Sequence, residues 1–193
     1  MILLMGVAGA GKSMQGRILA DEHGYAWIST GEILRVLITG KRRQEMIQGK
    51  LLSDDEIIGV IDKVFELIDT KQEFVLDGFP RTIPQAEWLI EQVKKGRFEL
   101  NSVIDLIASQ DVVVERLLKR GRLDDTRETI LRRIENYHQV TAPILEYFRG
   151  QDVPIHEIDG DRNARVIHDE ILSIIDDGKH AKGSVFAVAP ELA

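Results

Sequence analysis

The chain reads as an α/β protein built on a doubly wound, five-stranded parallel sheet flanked by helices. Three observations predict this. Short apolar runs recur five times along the 193 residues. Longer stretches with helical spacing separate them. The runs are also apolar continuously rather than alternately, the pattern of strands buried on both faces, which a parallel sheet covered by helices produces. Right-handed crossovers then put ligands at the carboxyl ends of the strands.

In chain order, the predicted strands are Ile2 to Gly6, Tyr25 to Ser29, Glu73 to Asp77, Ser102 to Ser109 and Val153 to Asp159. Helical periodicity covers Met14 to Glu22, Gly31 to Thr39, Asp54 to Asp69, Pro84 to Lys95, Asp111 to Arg120, Asp125 to Phe148 and Ala164 to Ile175. One domain over residues 1–193 is expected, a usual size for a single core. The tail from 178 to 193 has small residues and no periodicity, so loose packing or disorder is expected there. Its "VFAVA" stretch could also add an edge strand or serve a partner.

Composition narrows the class. With 44% hydrophobic and 30% charged residues, and no run near ~20 apolar residues, a soluble protein with no membrane span is expected. "MILLMGV" lacks the basic start and small-residue cleavage site of a signal peptide and reads as a buried strand. The absence of cysteine excludes disulfides and thiolate zinc sites, so no zinc is expected, and it suits a cytoplasmic setting. A formal charge of −7 opposes nucleic acid as the main partner, so any anion must be met locally.

The local answer stands between the first strand and first helix. Gly6, Gly11, Lys12 and Ser13 match G-x-x-x-x-G-K-[ST] with a strand before and a helix after. Glycine allows positive φ and close backbone approach, so successive N–H groups turn inward while the helix N-terminus adds partial positive charge. That cradle fits a di- or triphosphate: Lys12 reaches its β and γ groups, and Ser13 offers a hydroxyl to Mg²⁺. The bland alternative is a glycine-rich turn without function.

A second stretch, "VLDGFPRTIPQA", follows the third strand. Asp77 at the strand end is where a carboxylate holds Mg²⁺ through water, although an aspartate there can also be a turn or cap residue. Arg81 comes after Gly78, Phe79 and Pro80, which sets a guanidinium on a stiff turn at the same sheet edge. A rigid, bidentate arginine there suits a second phosphate.

Five stretches together, "GVAGAGKSMQ", "ISTGEILR", "GKLLSDDEI", "DGFPRTIPQA" and "RLLKRGRLDD", resemble the adenylate kinases in order and rough spacing, from Met1 to about Ile175. The resemblance implies a nucleoside monophosphate kinase of the P-loop type that transfers phosphate from Mg·ATP to AMP, giving two ADP. It also implies an acceptor-binding arm at about 30–60, a short lid at about 120–126 and a monomer. Its ATP-binding residues would be Gly9, Ala10, Gly11, Lys12, Ser13 and Met14, with Arg116 against the donor adenine and Arg120 on the phosphates. The backbone around Gly160 to Arg162 would recognise that adenine. On the AMP side would stand Thr30, Gly31 and Arg35, the backbone of Leu51, Leu52 and Ser53, then Gly78, Phe79, Pro80 and Arg81. Gln85 would read the acceptor base, because an amide supplies both a donor and an acceptor. Taken alone, Gln85 reads as a solvated helix residue and Thr30 as a helix N-cap.

The arginine run is the other half of the resemblance. Arg122 and Arg133 would bridge both nucleotides, with Asp124 and Asp125 orienting the arginines as the lid shuts. Lys12, Arg81, Arg120, Arg122 and Arg133 would carry the catalysis. Arg127 and Arg132 fit a solvated helix face equally well.

The chain departs from the family pattern in places. Ser13 and Met14 replace a glycine and a threonine, so the hydroxyl moves one position earlier and Met14 cannot donate to a phosphate. Ala8 replaces a proline. Only "GRL" separates Arg120 from Asp124, and the arm from Arg35 to Gly49 is trimmed. Two other readings stay open: a kinase acting on UMP or CMP, and a nucleotide-binding sensor with little turnover. Lids exclude water so that transfer outruns hydrolysis. With so short a lid, closure should move few residues, and phosphate release from ATP without an acceptor should remain far below transfer to AMP. Comparable rates in that assay would show that the lid leaves the site open to water.

Overall fold

The computed structural model describes residues 1–40, 43, 44 and 52–183. The sheet contains β1 (Ile2–Met5), β2 (Ala26–Ser29), β3 (Phe74–Asp77), β4 (Ser102–Ile107) and β5 (Ile155–Asp159). All its pairs are parallel, in the order β2-β3-β1-β4-β5. This is the doubly wound α/β sheet that the apolar runs predict.

The strands are apolar throughout because each side chain faces one of two cores. In β1, Leu3 and Met5 join Phe74, Leu76 and Val103 on one face, while Ile2 and Leu4 join Val75, Ile104 and Leu106 on the other. Helices cover both faces: α1 (Lys12–His23), α2 (Thr30–Leu37), α3 (Asp54–Leu67), α4 (Ile83–Lys94), α5 (Gln110–Arg120), α6 (Arg127–Asn136), α7 (Pro143–Arg149) and α8 (Ala164–Gly183). Phe65 of α3 sits edge-on to Phe98, tilted to Phe74 and stacked on Trp88 of α4, which anchors α3 and α4 to the first face. Among the described residues, no helix is long and apolar enough to cross a membrane.

Element starts follow local chemistry. Ser53 and Glu56 form a reciprocal capping box at α3, and the Thr82 hydroxyl accepts the Gln85 N–H at the start of α4. Thr30, in contrast, is not a cap: Ser29 holds that position, and Thr30 lies within the first turn of α2. The stretch expected as one helix from Asp125 to Phe148 divides. Residues Tyr137–Thr141 form a π-turn, closed by the Ala142 N–H on the Tyr137 carbonyl at 2.8 Å. Pro143 explains the break, because it lacks an N–H and its ring would clash with the carbonyl four residues back. The last helix runs past Ile175 to Gly183, since no proline interrupts it. The rest of the tail, 184–193, lies outside the described residues.

At the midpoint of α1, Gly16 lies against the indole of Trp27, which also carries Arg17 over its ring at 5.3 Å. A Cβ at Gly16 would lie 2.3 Å from Trp27 Nε1. An exposed helical glycine gains stability when changed to alanine. Here the sign should reverse: Gly16→Ala should lose about 1–3 kcal/mol by overpacking, read by denaturant unfolding, with a changed Trp27 emission. A stabilised variant would show that the indole is free to move aside.

Candidate active site

The loop after β1 turns at Gly6, Gly9 and Gly11, which all have positive φ. Gly6 has a second constraint, since a Cβ there would lie 2.4 Å from the Leu106 carbonyl oxygen of β4. The Lys12 ammonium bends back over the loop and donates to the carbonyls of Gly6 and Val7 at 2.6 and 2.8 Å. Burial pulls its pKa down to about 8, against the attraction of Asp77. Met14 follows on the first turn, half exposed, with no hydroxyl to offer.

Asp77 ends β3 directly opposite Leu4 of β1 and Ser29 of β2. It is buried, and Oδ2 accepts the hydroxyls of Ser13 at 2.6 Å and Ser29 at 3.3 Å. The strand-end aspartate and the loop serine, far apart in sequence, are therefore in contact. A hydroxyl beside a carboxylate is an oxygen donor set that fits a hard divalent cation such as Mg²⁺.

The turn after β3 brings Arg81 to α2. Arg81 Nε donates to the Gly78 carbonyl at 2.8 Å. Gly31 lies so close that its missing Cβ would stand 3.5 Å from the Arg35 guanidinium and 3.8 Å from that of Arg81. Thr30 is buried beside Gly78, and its hydroxyl has no hydrogen-bond partner. Phe79 is a core residue, packed edge-on against Trp88 at 5.9 Å, so only its backbone faces the turn. Pro80 is buried too. Leu52 lines a cleft of about 300 Å³ with Leu34, Leu37, Ile38, Glu56 and Val60, between α2 and α3. Ser53 sits at its edge as the α3 cap. Leu51 lies outside the described residues.

Gln85 is buried rather than solvated. Its Oε1 accepts the Arg81 N–H at 2.8 Å and its Nε2 donates to Asp54 at 2.7 Å. One lone pair and one N–H of the amide remain for another partner.

At the lid, α5 ends at Gly121 with positive φ, and a loop of Arg122 to Thr126 leads into α6. The buried Asp125 carboxylate receives Arg120 in bidentate fashion at 2.7 and 2.9 Å, the Arg122 N–H at 3.1 Å and Arg133 at 3.3 Å. Arg133 also pairs with Asp124. Burial alone would raise the Asp125 pKa, yet the Arg120 hydrogen bonds and charge outweigh it and hold the carboxyl below its ordinary value. Arg35 is pushed below the usual arginine value by burial and then by Arg122; Arg81 is lowered by burial, opposed by Asp77, with Arg133 adding to the fall. Guanidiniums that destabilise one another's charge around a crevice call for an anion between them. Arg132, by contrast, makes an exposed pair with Glu128, the solvated-face reading.

On the far side of the loop, Arg116 donates to the Gly160 carbonyl at 2.7 Å. A Cβ at Gly160 would lie 3.1 Å from the Ala10 carbonyl, so this turn abuts the glycine loop. Arg162 folds back onto the Asp159 carbonyl and pairs with Glu170, leaving its backbone as the part facing the turn.

Sequence reasoning missed several contributors. Asp105 lies within β4, opposite Met5 at the end of β1, and accepts the Tyr137 hydroxyl at 3.0 Å. Burial raises its pKa, against that hydrogen bond, and it adds to the charge felt by Lys12. A lone acid in the apolar run "SVIDLI" was the available signal. Tyr137, Asp54 and Thr141, whose hydroxyl donates to the Arg81 carbonyl at 3.0 Å, gave none.

The family model described as adenylate kinase matches residues 4–153. The chain is 39% identical over 181 residues to an adenylate kinase of Corynebacterium urealyticum, covering 91% of this chain and 98% of the relative. It is 37% identical over 180 residues to adenylate kinase 1 of a Nostoc species, covering 90% and 97%. A Leptospira biflexa adenylate kinase is 35% identical over 185 residues, covering 90% and 98%.

The Asp125 hub yields a test of sign. A carboxylate with a depressed folded pKa stabilises fully above the ordinary carboxylate range, and that stability is lost as pH falls through the lowered folded value. Asp125→Asn should therefore cost about 3 kcal/mol at neutral pH, as one half of a buried ion pair is removed. It should also flatten the acid limb of stability against pH, followed by thermal unfolding. An unchanged acid limb would show that Asp125 is not the group titrating there.

Proposed function

This chain belongs to the adenylate kinase family, and on that premise we propose that it catalyses the reversible transfer Mg·ATP + AMP to two ADP. Membership makes it a phosphotransferase that handles nucleotides. The observation that carries the rest is the two groups of cations near Asp77, Lys12 folded over the glycine loop and Arg35 with Arg81 around Gly31.

In this reading ATP lies with its phosphates on the backbone of Gly9 to Ser13, Met14 contributing backbone only, and its base between Arg116 and the Gly160–Arg162 turn. AMP enters the cleft between α2 and α3, with its phosphate on Arg35 and Arg81. Its base lies along Leu51, Leu52 and Ser53, close to Thr30 and the remaining donor and acceptor of Gln85. An oxygen of the AMP phosphate attacks the γ-phosphorus in line, the bond from that phosphorus to the β,γ-bridging oxygen breaks, and ADP leaves carrying the electron pair. No covalent enzyme intermediate is required. Lys12, Arg81, Arg120, Arg122 and Arg133 neutralise charge on the equatorial oxygens, so catalysis is positioning plus electrostatics. Ser13 and, through water, Asp77 would hold Mg²⁺, which supplies charge neutralisation across the donor phosphates. A monomer in the cytoplasm completes the reading.

Lys12 offers two readouts. Its pKa of about 8 should rise when phosphate oxygens replace the loop carbonyls. Nucleotide binding near pH 9 should then take up a proton, seen calorimetrically as a dependence on buffer ionisation heat that vanishes near pH 7. Lys12→Met should abolish this uptake and lower turnover by roughly 10³-fold or more, the scale for losing a key transition-state charge. Normal turnover in that variant would overturn the role of Lys12.

Acceptor choice is tested by a coupled assay with AMP, UMP, CMP and GMP in parallel. A strong preference for AMP is expected. Preference for a pyrimidine nucleotide would move the chain to the UMP/CMP reading, and binding of ATP without transfer to any acceptor would make it a sensor.

A further inference from the structure

Away from the crevice, the last turn of α1 meets α8 through an unusual pair of side chains. His23 Nε2 and His168 Nε2 face each other at 3.3 Å, their rings stacked with centroids 5.4 Å apart. The Glu22 carboxylate completes a group whose three ligand atoms lie within 4.8 Å of one another.

Hydrogen bonding does not account for a histidine at position 168. Its side chain is only 1% exposed, on a helix face otherwise given to Ile167, Ile171 and Ile175. Its Nδ1 is buried without a partner. Whichever ring nitrogen carries the proton, one polar atom of His168 stays unmatched inside the protein, and an ion on Nε2 leaves Nδ1–H in that state, so the case for a ligand rests on the spacing of the donor atoms. Two nitrogen ligands on a tetrahedral ion at ~2.0–2.1 Å stand about 3.3–3.4 Å apart, which is the spacing found here.

We propose that Glu22, His23 and His168 form a binding site for a divalent transition-metal ion, zinc by preference, that fastens the end of α1 to α8. Two imidazoles and one carboxylate are a borderline nitrogen and oxygen donor set suited to zinc rather than to Mg²⁺ or Ca²⁺. Water takes the fourth position, reached from solvent on the side where His23 and Glu22 are exposed. The lack of cysteine excludes a thiolate zinc lobe but leaves this kind of site untouched.

The surroundings favour the ligand forms. Burial, then the neighbouring His23, hold His168 below the usual histidine value. Arg165 lies 2.8 Å from both Glu22 oxygens and keeps that carboxyl ionised. With one oxygen turned to the ion, the other stays on Arg165, the hydrogen-bonded arrangement usual for a ligating carboxylate. Asp169 on α8 offsets part of the Arg165 charge felt at His168.

The site touches no group assigned to phosphoryl transfer, so its effect would be mechanical. Helix α1 begins at Lys12, and α8 follows the Gly160–Arg162 turn. Joining the end of α1 to the second turn of α8 braces the two walls of the donor side from behind.

The test is calorimetric titration of chelator-stripped full chain with zinc chloride, alongside thermal unfolding with and without the ion. One zinc per chain and a raised Tm are expected. Glu22→Gln, at an exposed position, should keep the metal-free Tm, while His23→Ala should lower it somewhat by removing the partner of His168 Nε2; both should weaken zinc binding by at least about tenfold, the scale on which even an orienting partner alters metal affinity. His156→Ala, on β5, should bind zinc as the parent does. Imidazole NMR should show His23 and His168 shifting together on zinc addition. Absence of binding in the parent chain, or undiminished binding in His23→Ala, would overturn the site.

Discussion

The crevice depends on one buried carboxylate. Asp77 stands where three parallel strands end side by side, and its Oδ2 receives one hydroxyl from the first turn of α1 and another from the end of β2. A buried charge must be matched, and these contacts do the matching by drawing the glycine loop and the acceptor side toward the same atom. The same charge attracts the Lys12 ammonium, which burial would otherwise neutralise more readily. The loop's shape, the lysine's charge and the serine's aim thus share one origin.

Cations are organised around that anchor in two different ways. At the lid, Arg120 and Arg133 are tied to Asp125 and Asp124, so their positions are set before any ligand arrives. At α2, Arg35 and Arg81 lie near other guanidiniums that disfavour their charge. A chain of net charge −7 has concentrated positive charge at one crevice and matched part of it internally. Preorganisation of this kind avoids reordering charges during reaction.

Much of this was legible in the residues. Continuous apolar runs showed the sheet because burial on both faces leaves no room for alternation, and β1 divides its side chains between two cores as that requires. The glycine loop was legible because its geometry excludes most other residues. What stayed hidden depended on packing between distant segments. The burial of Gln85 arises from Asp54 on another helix, and Ser29 displaces Thr30 from the cap because the helix begins one residue earlier, directly at the strand end. Asp105 could be suspected as an acid set in an apolar strand, but its partner Tyr137 could not, since nothing in "ENYHQV" marks a break in helical rhythm. Only Pro143 announced that the long helix must yield.

That yielding has a consequence for how this segment can change over time. The π-turn holds one residue more than an α-turn, and within it Tyr137 reaches Asp105 below the glycine loop while Thr141 reaches the carbonyl of Arg81. Both contacts hang on the surplus residue. Deleting any residue between 137 and 142 would rotate everything that follows by about 100°, withdrawing Thr141 from the acceptor side. Heredity can therefore vary the letters of this stretch more freely than its length.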